Sequence, residues 1–410
     1  MTSASTQPIR RILLADADAF YVAVARLVDP EGAGKARLLI VGGAAASRGV
    51  VTSASYEARA YGVRSAMPMA RAMRLCPGAT IVPVPWAACA EQSHKIASVL
   101  RGFTPTVEQA SSDEFYLDLS GTERLYHGEP LSATARRIRD AVLAETALSV
   151  SIGGGTSKLV AKLAASRAKP RPGVPADGVC VVAPGAEAAF LLEFALAELP
   201  QVGPKFQERL ARLGLHTVRD VVSRGQETLI HELGEREGRW LYQQAHGVDH
   251  GAVEPDREAK SVSRDETFPV DLDDDDALAA KLLALADRAS ADLRDAGLLA
   301  RTVTVKLRDA DFTTRQASRT LPDPVQADRV VYAIARGLLH KLRRARRTPA
   351  RLLGVALSQL VPLAAPTQLT LLDAPADAIA ESERDRTISQ LIDQVRERFG
   401  PDALGRAGSR

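Results

Sequence analysis

Four acidic residues carry the first chemical signal: Asp16 and Asp18, directly after the apolar run Ile12-Leu13-Leu14-Ala15, and the adjacent pair Asp113 and Glu114. A hard divalent cation such as Mg²⁺ takes oxygen ligands, and two-metal catalysis needs carboxylates from separate chain segments around ions roughly 3.5 to 4 Å apart. An acid at the end of a buried strand and an acid pair on a neighbouring hairpin meet that demand. Such pairs are more often solvated turns or helix caps; the apolar run before Asp16 sets this one apart, because a strand that buries its body exposes a carboxylate only at an edge. A second group, Tyr56, Arg59, Lys158, Lys162 and Lys169, has the chemistry to match phosphate oxygens by charge and, for Arg59, by a bidentate fork. If the two groups converge, the substrate is a Mg²⁺-bound nucleotide; otherwise Lys158 and Lys162, four apart, line a solvated helix face.

Holding these groups together requires alternating strands and helices. Ile12 to Ala15 reads as a strand leading into a helical Val22 to Arg26, Leu38 to Gly43 and Val50 to Ser53 as two more strands, and the residues around Tyr56 and Arg59 as a helix. Val107 to Ala110 and Phe115 to Leu119 flank a hairpin that carries Asp113 and Glu114, and helices follow over Ala133 to Ala147 and Ser157 to Arg167. The proline-rich run Pro170 to Pro175 predicts a domain break, followed by an all-helical region that ends near His250. The polar stretch Gly247 to Lys260 predicts a linker. Beyond it, a weak strand near Val262 to Phe268, a helix over Ala277 to Ala296, strands over Arg301 to Arg308 and Thr313 to Thr320, a helix over Asp328 to Arg344 and a strand over Leu352 to Leu357 compose a small βαββαβ-like sandwich. The last piece is a tail with one helix, Thr387 to Phe399.

Composition excludes several classes. With 410 residues, 53 Lys+Arg against 50 Asp+Glu and 46% hydrophobic residues, the chain is neither a disordered polymer nor a collagen nor a coiled coil, and its length suits several domains. Cys76, Cys89 and Cys180 lie far apart, which excludes a disulfide framework and reads each as a small buried hydrophobe in a reducing compartment. No apolar run is long enough for a membrane span, and Met1 to Pro8 lacks a signal-peptide core. The expectation is a soluble, cytoplasmic, monomeric protein with no membrane partner.

Taken in order, the segments Asp16-Ala17-Asp18-Ala19-Phe20-Tyr21, Arg48-Gly49-Val50-Val51, Ser55-Tyr56-Glu57-Ala58-Arg59, Val107 to Asp118, Ala168-Lys169-Pro170, Leu199 to Lys205, Lys260 to Phe268 and Arg351 to Val355 resemble the motif series of the Y-family translesion DNA polymerases, bacterial members above all. The resemblance implies an α+β, multidomain right-hand polymerase: palm from 1–26 and 86–172, fingers from 27–85, a helical thumb from 173–250, a linker at 251–260, a little finger from 261–361 and a tail from 362–410. It implies that Asp16, Asp113, Glu114 and the carbonyl of Ala17 hold two Mg²⁺ ions, with Mn²⁺ able to substitute. It further implies that Tyr56, Arg59 and Lys169 grip the incoming dNTP and that Tyr21 is a steric gate against the ribose 2′-hydroxyl. Departures from the family pattern fall at Ala25, Ser112, Ser157 and Cys89; none removes an expected metal or phosphate ligand.

Primer–template DNA is the expected macromolecular partner. Gly203 and Lys205 sit in a thumb turn of helix-hairpin-helix type, where backbone N–H groups can approach a phosphate. Residues 301–360 hold 13 Lys+Arg and 4 Asp+Glu, a net of +9, against +3 for the whole chain. Thr304, Lys306 and Arg308 alternate with Val303, Val305 and Leu307, so one strand face can meet DNA, and Arg315 and Arg319 are expected to extend it. In the tail, Gln368, Leu369, Leu371 and Leu372 resemble the peptide by which bacterial polymerases dock on the sliding clamp.

The expected activity is template-directed, lesion-bypassing DNA synthesis without proofreading. A non-catalytic accessory protein that binds DNA and clamp has no need for the metal and triphosphate ligands. A nucleotide cyclase leaves the thumb turn and the basic strand unexplained.

Overall fold

A computed structural model describes residues 9–44, 46, 48–170, 177–364, 381–400 and 403–405. The chain divides into two compact units, Met1–Ala45 with Gly49–Arg257, and Ala46–Arg48 with Glu258–Arg410.

In chain order the first unit comprises β1 (Ile12–Ala17), α1 (Phe20–Val28), β2 (Leu39–Gly42), β3 (Val51–Ala54), α2 (Tyr56–Ala60), α3 (Met69–Leu75), β4 (Thr80–Val82), α4 (Trp86–Arg101), β5 (Val107–Gln109), β6 (Glu114–Asp118), α5 (Leu131–Thr146), β7 (Val150–Gly155), α6 (Lys158–Ala168), β8 (Val179–Val181) and the helices α7 (Glu187–Leu191), α8 (Pro204–Arg212), α9 (Val218–Arg224), α10 (Gln226–Leu233) and α11 (Glu235–Ala245). Its main sheet has the order β5-β6-β1-β7-β8, and β1 is paired antiparallel on both sides. Strand alternation sorts the side chains. Leu13, Ala15, Phe115, Leu117 and Ile152 face α4 and α5, whereas Ile12, Leu14 and Tyr116 face Ala161 and Ala165 of α6. Asp16 and Glu114, directly paired in register, continue that second row and so point to the α6 side.

A separate small sheet, β3-β2-β4, packs under α2 and α3 with Ile40, Val51, Ala58 and Met69 as its core. The helices after β8 close around Leu196, Leu210, Leu229 and Leu241. Two sequence expectations change here. The proline-rich run does not end the sheet, because β8 returns to pair in parallel with β7. The stretch expected as a polar linker is partly docked: Val253 is buried against Ile12 and Leu14, and Glu254 N donates to Glu108 Oε2 at 2.9 Å.

The second unit comprises β9 (Ser261–Leu272), α12 (Asp275–Asp295), β10 (Leu298–Asp309), β11 (Thr314–Val325), α13 (Asp328–Ala345), β12 (Ala350–Pro362) and α14 (Glu383–Phe399). The first six realise the βαββαβ pattern as an antiparallel sheet of order β11-β10-β12-β9. Val303, Val305 and Leu307 are wholly buried against α12 and α13, each contributing about 1.5–3 kcal/mol. The acidic run 271–276 is local scaffolding: Asp274 caps α12 through Ala277 N, and Asp273 and Asp275 bind the buried Arg343. Helix α14 is mounted differently. Its buried residues are Asp385 and Ser389. It is held by Arg329 on Asp385 (2.5 Å), Arg294 on Asp393 (2.6 Å), Arg396 on Asp287 (2.8 Å) and Ser389 on Asp328.

No helix among the described residues is long and apolar enough to cross a membrane.

Candidate active site

The acids meet at one end of the main sheet. Asp16, the second-last residue of β1, is 7% exposed, and Ala17 N donates to Asp113 O at 2.9 Å, which locks the 110–113 hairpin to the strand end. Behind β1 the chain reverses through Ala19, a non-glycine residue in the left-handed region (φ 46°) that caps α1. This sharp turn directs Phe20 into the core and leaves Tyr21 half-buried, edge-on to Phe20 and to Trp86.

Helix α6 supplies the opposing charge. Lys162 lies on the helix and Lys169 follows its last residue in extended conformation. Lys162 Nζ is 2.5 Å from Glu114 Oε2, and Lys169 Nζ is 2.7 Å from Asp16 Oδ1. The helix can sit this close because β7 ends in Gly153, Gly154 and Gly155: a Cβ on Gly153 would lie 2.0 Å from Ala165 N and 2.1 Å from Ala161 O. Ser157, one of the departures, caps α6 by accepting from Val160 N.

Burial pushes the Asp16 carboxyl up to about 6; the nearby Lys169 opposes this, while the Glu114 and Asp113 charges add to it. Three carboxylates gather in a place of concentrated negative charge, and their oxygen chemistry suits a hard divalent cation. Among the described residues no three His, Cys, Asp or Glu side chains stand in ligating geometry. The carboxylates are instead held by Lys169, by Lys162 and, at Asp113, by Ser111 Oγ at 2.6 Å.

Asp18 does different work. Its carboxylate accepts from Ser149 Oγ (2.9 Å), Ser151 Oγ (2.7 Å) and Tyr56 Oη (3.4 Å). Burial, reinforced by the Asp18 charge, raises the Tyr56 phenol above its ordinary range, so it stays protonated and can donate. Arg59 stacks over the Tyr56 ring at 5.1 Å and anchors to Ala54 O at 2.9 Å. Lys158 does not join this group: it binds the buried Glu108 at 2.6 Å and covers the Tyr116 ring at 4.6 Å.

Sequence reasoning did not find strand β7, the glycine seat of α6, or Ser149 and Ser151. Three consecutive glycines, two residues short of the helix start at Lys158, were the available signal. Cys89 and Cys76 are buried, as expected of small hydrophobes, whereas Cys180 is only partly covered. Ala25 is buried against Leu39 and Val41, and Ser112 is exposed on the hairpin.

In the second unit the register corrects the expected charged face. Thr304, Lys306 and Arg308 share a half-exposed face with Ser318, Gln316 and Thr314. Arg315 stands opposite Leu307 and Arg319 opposite Val303, so both lie on the other face. Arg315 is spent on the fully buried Asp309 at 2.8 Å and on Leu342 O. Arg346 binds Asp309 and Asp311, and Lys306 pairs with Asp265. The local excess of +9 therefore overstates the charge free to meet an anion. In the first unit, Gly203 caps α8 with no atom within 4 Å of a Cβ placed there, and Lys205 beside it is exposed. The peptide Gln368, Leu369, Leu371 and Leu372 lies outside the described residues.

Family models match the chain along most of its length: the impB/mucB/samB family over 15–166, its C-terminal domain over 259–371, and a DNA polymerase-iota thumb domain over 197–249. The chain is 36% identical to a DNA polymerase IV of Dehalococcoides mccartyi, covering 96% of this chain and 95% of that one. It is 39% identical to a DNA polymerase IV of Desulfatibacillum aliphaticivorans, covering 95% and 94%. Among solved structures it resembles the Y-family DNA polymerase chimera Dbh-Dpo4(243-245)-Dbh, with a TM-score of 0.76 at 26% identity over 86% of this chain and 99% of that one. An insertion ternary complex of Dbh DNA polymerase gives 0.59 at 25% identity over the same shares.

Proposed function

The chain belongs to the Y-family DNA polymerases, the impB/mucB/samB family, and from that membership we propose which of its residues carry the reaction. It is a translesion DNA polymerase that extends a primer on template DNA with dNTPs and depends on a divalent cation. The observation that carries the residue assignment is the meeting of Asp16, Asp113 and Glu114 with Lys169 at one sheet end.

In this reading Asp16, Asp113, Glu114 and the Ala17 carbonyl hold two Mg²⁺ ions, with Mn²⁺ as a substitute. When bound, they supply Lewis-acid activation of the primer 3′-hydroxyl and neutralise charge at the α-phosphate. Lys169 and Lys162 pair with Asp16 and Glu114 in the cation-free chain. With the carboxylates on the cations, Lys169 would be released to the triphosphate, which Arg59 and the Tyr56 hydroxyl would also bind. Asp18 orients Tyr56. The Tyr21 ring, braced by Phe20 and Trp86, excludes the ribose 2′-hydroxyl by bulk.

The palm is the sheet β5-β6-β1-β7-β8 with α4, α5 and α6, so it extends past residue 172 to β8; the fingers are the β3-β2-β4 insert; the thumb is α7 to α11; the little finger is β9 to β12 with α12 and α13. Gly203 and Lys205 bind a phosphate through the thumb turn, and Thr304, Lys306 and Arg308 meet the DNA backbone. The chain works as a monomer, without proofreading, and docks on the sliding clamp through Gln368, Leu369, Leu371 and Leu372.

The test is primer extension with Mg²⁺ and dNTPs, comparing the intact chain with Asp113→Ala/Glu114→Ala while DNA binding is read in parallel. Extension should vanish in the variant and binding should persist. A variant that still extends primers removes these acids from the chemistry.

A further inference from the structure

Between α8 and α11 lies a cavity of about 580 Å³ that the reaction above does not use, lined by Lys205, Phe206 and Arg209 from α8 and by Arg236, Glu237 and Trp240 from α11. Two of its features call for a ligand. The first is charge: three cations surround one carboxylate. Glu237 pairs with Arg209, and Arg209 Nε is buried with no hydrogen-bond partner. Like charges gathered at one cavity repel, and an anion relieves that repulsion. The second is the pair of rings. Phe206 and Trp240 stand 6.2 Å apart at 45°, too tilted to stack on each other, and each is only partly buried where it packs against the helical core. The Arg209 guanidinium lies 4.9 Å over Phe206 and continues that π surface.

Cations alone would suit any phosphate, and rings alone would suit any apolar group. Together they fit a planar aromatic group carrying an anion. We infer that this cavity binds an unpaired nucleotide of a DNA single strand, its base against Phe206 and Trp240 and its phosphates on Lys205 and Arg236. Duplex DNA presents phosphates but keeps its base faces stacked, so the rings add nothing to duplex binding. Lys205 also lies two residues beyond Gly203, so the cavity begins beside that turn. The inference rests on the chain being a DNA polymerase, which fixes a nucleic acid as the partner to hand.

Trp240 and Trp86 are the two tryptophans of the chain, so in the full chain carrying Trp86→Phe the emission reports Trp240 alone. A short oligothymidylate should quench it saturably and a blunt hairpin duplex should not. Trp240→Leu should weaken single-strand binding roughly tenfold or more, and Trp240→Phe should restore most of it. Lys205→Gln/Arg236→Gln changes two exposed positions, so it tests the site even where Trp240→Leu fails to fold; it should lower the slope of log affinity against log salt by roughly 1.4, the single-strand value for two phosphates. Equal quenching by duplex and single strand overturns the inference, as does an unchanged salt slope. Quenching by a glutamate–tyrosine peptide but not by oligothymidylate also overturns it, and assigns the cavity to an acidic protein segment. Primer extension by the unmodified chain is run beside these titrations. Extension without a Trp240 response removes the cavity and leaves the polymerase; a response without extension does the reverse.

Discussion

Lys169 Nζ stands 2.7 Å from Asp16 Oδ1, so the end of α6 is tied to the end of β1 by the two residues that the proposed chemistry gives to the triphosphate and to the metal. Lys162 makes the same kind of tie to Glu114. The helix thus carries its own counter-charges to the acid cluster.

The two lysines should separate kinetically. Lys169→Ala removes a triphosphate contact and should raise KM for dNTP roughly tenfold. Lys162→Ala touches only Glu114 and should lower kcat with KM little changed. Steady-state primer extension at saturating DNA distinguishes them, and equal KM effects would contradict the assignment.

Asp16 gives stability a definite pH dependence. Its carboxyl is raised from 3.8 to about 6 in the folded chain, so between these values the folded form binds more protons than the unfolded form. The cation-free protein should lose stability as pH rises through that window, by at most about 3 kcal/mol. The melting temperature of Asp16→Asn should gain on that of the parent over the same interval and run parallel above it. Excess Mg²⁺ should move the parent's falling limb to lower pH, since cation and proton compete for the carboxylate. A constant difference between the two proteins from pH 4 to 7 would sink this account.

Glycines at 153 and 203 should respond oppositely to the same substitution. Gly153→Ala drives a methyl into helix backbone at 2.0 Å, and α6 must lift from the sheet at a cost of about 3 kcal/mol or more. Gly203→Ala meets open space and, as a change of N-cap, should cost no more than about 1 kcal/mol while weakening DNA binding. Thermal melts and a DNA titration of both variants make the comparison.

Arg308 and Arg315 offer a matching contrast in the second unit. Arg308→Ala should reduce the salt slope of DNA binding by about 1. Arg315→Ala should leave the slope alone but destabilise the unit by roughly 2–3 kcal/mol, somewhat less than a fully broken buried pair because Arg346 still reaches Asp309. Denaturant unfolding beside the salt titration decides which arginine serves which end.

Legibility in the sequence followed the reach of the interactions involved. The apolar run into Asp16, the Asp113-Glu114 hairpin and the βαββαβ order could be read because local periodicity and turn chemistry dictate them. Strand β7 could not, since three glycines erase the alternation that marks a strand. The fates of Lys158, Arg315 and Arg346 were equally hidden: whether a cation is spent on Glu108 or Asp309 depends on partners brought in by tertiary packing. Arg315 shows the limit best, because alternation along β10 was read correctly but the pairing register with β11, fixed by the turn between them, put the arginine on the opposite face.

Helix α14 will exchange its amide hydrogens ahead of the sheet it rests on. Its mount is made of guanidinium–carboxylate pairs and a serine hydroxyl, and its buried side chains are the polar Asp385 and Ser389. Little apolar surface must therefore be hydrated to free it, so it forms an opening unit of its own with a free energy well below that of global unfolding. Dissolved ions weaken the partly exposed pairs of that mount while leaving the aliphatic core of β10 untouched. The two parts of one domain therefore come undone under different solvents, α14 with salt and the sheet with denaturant.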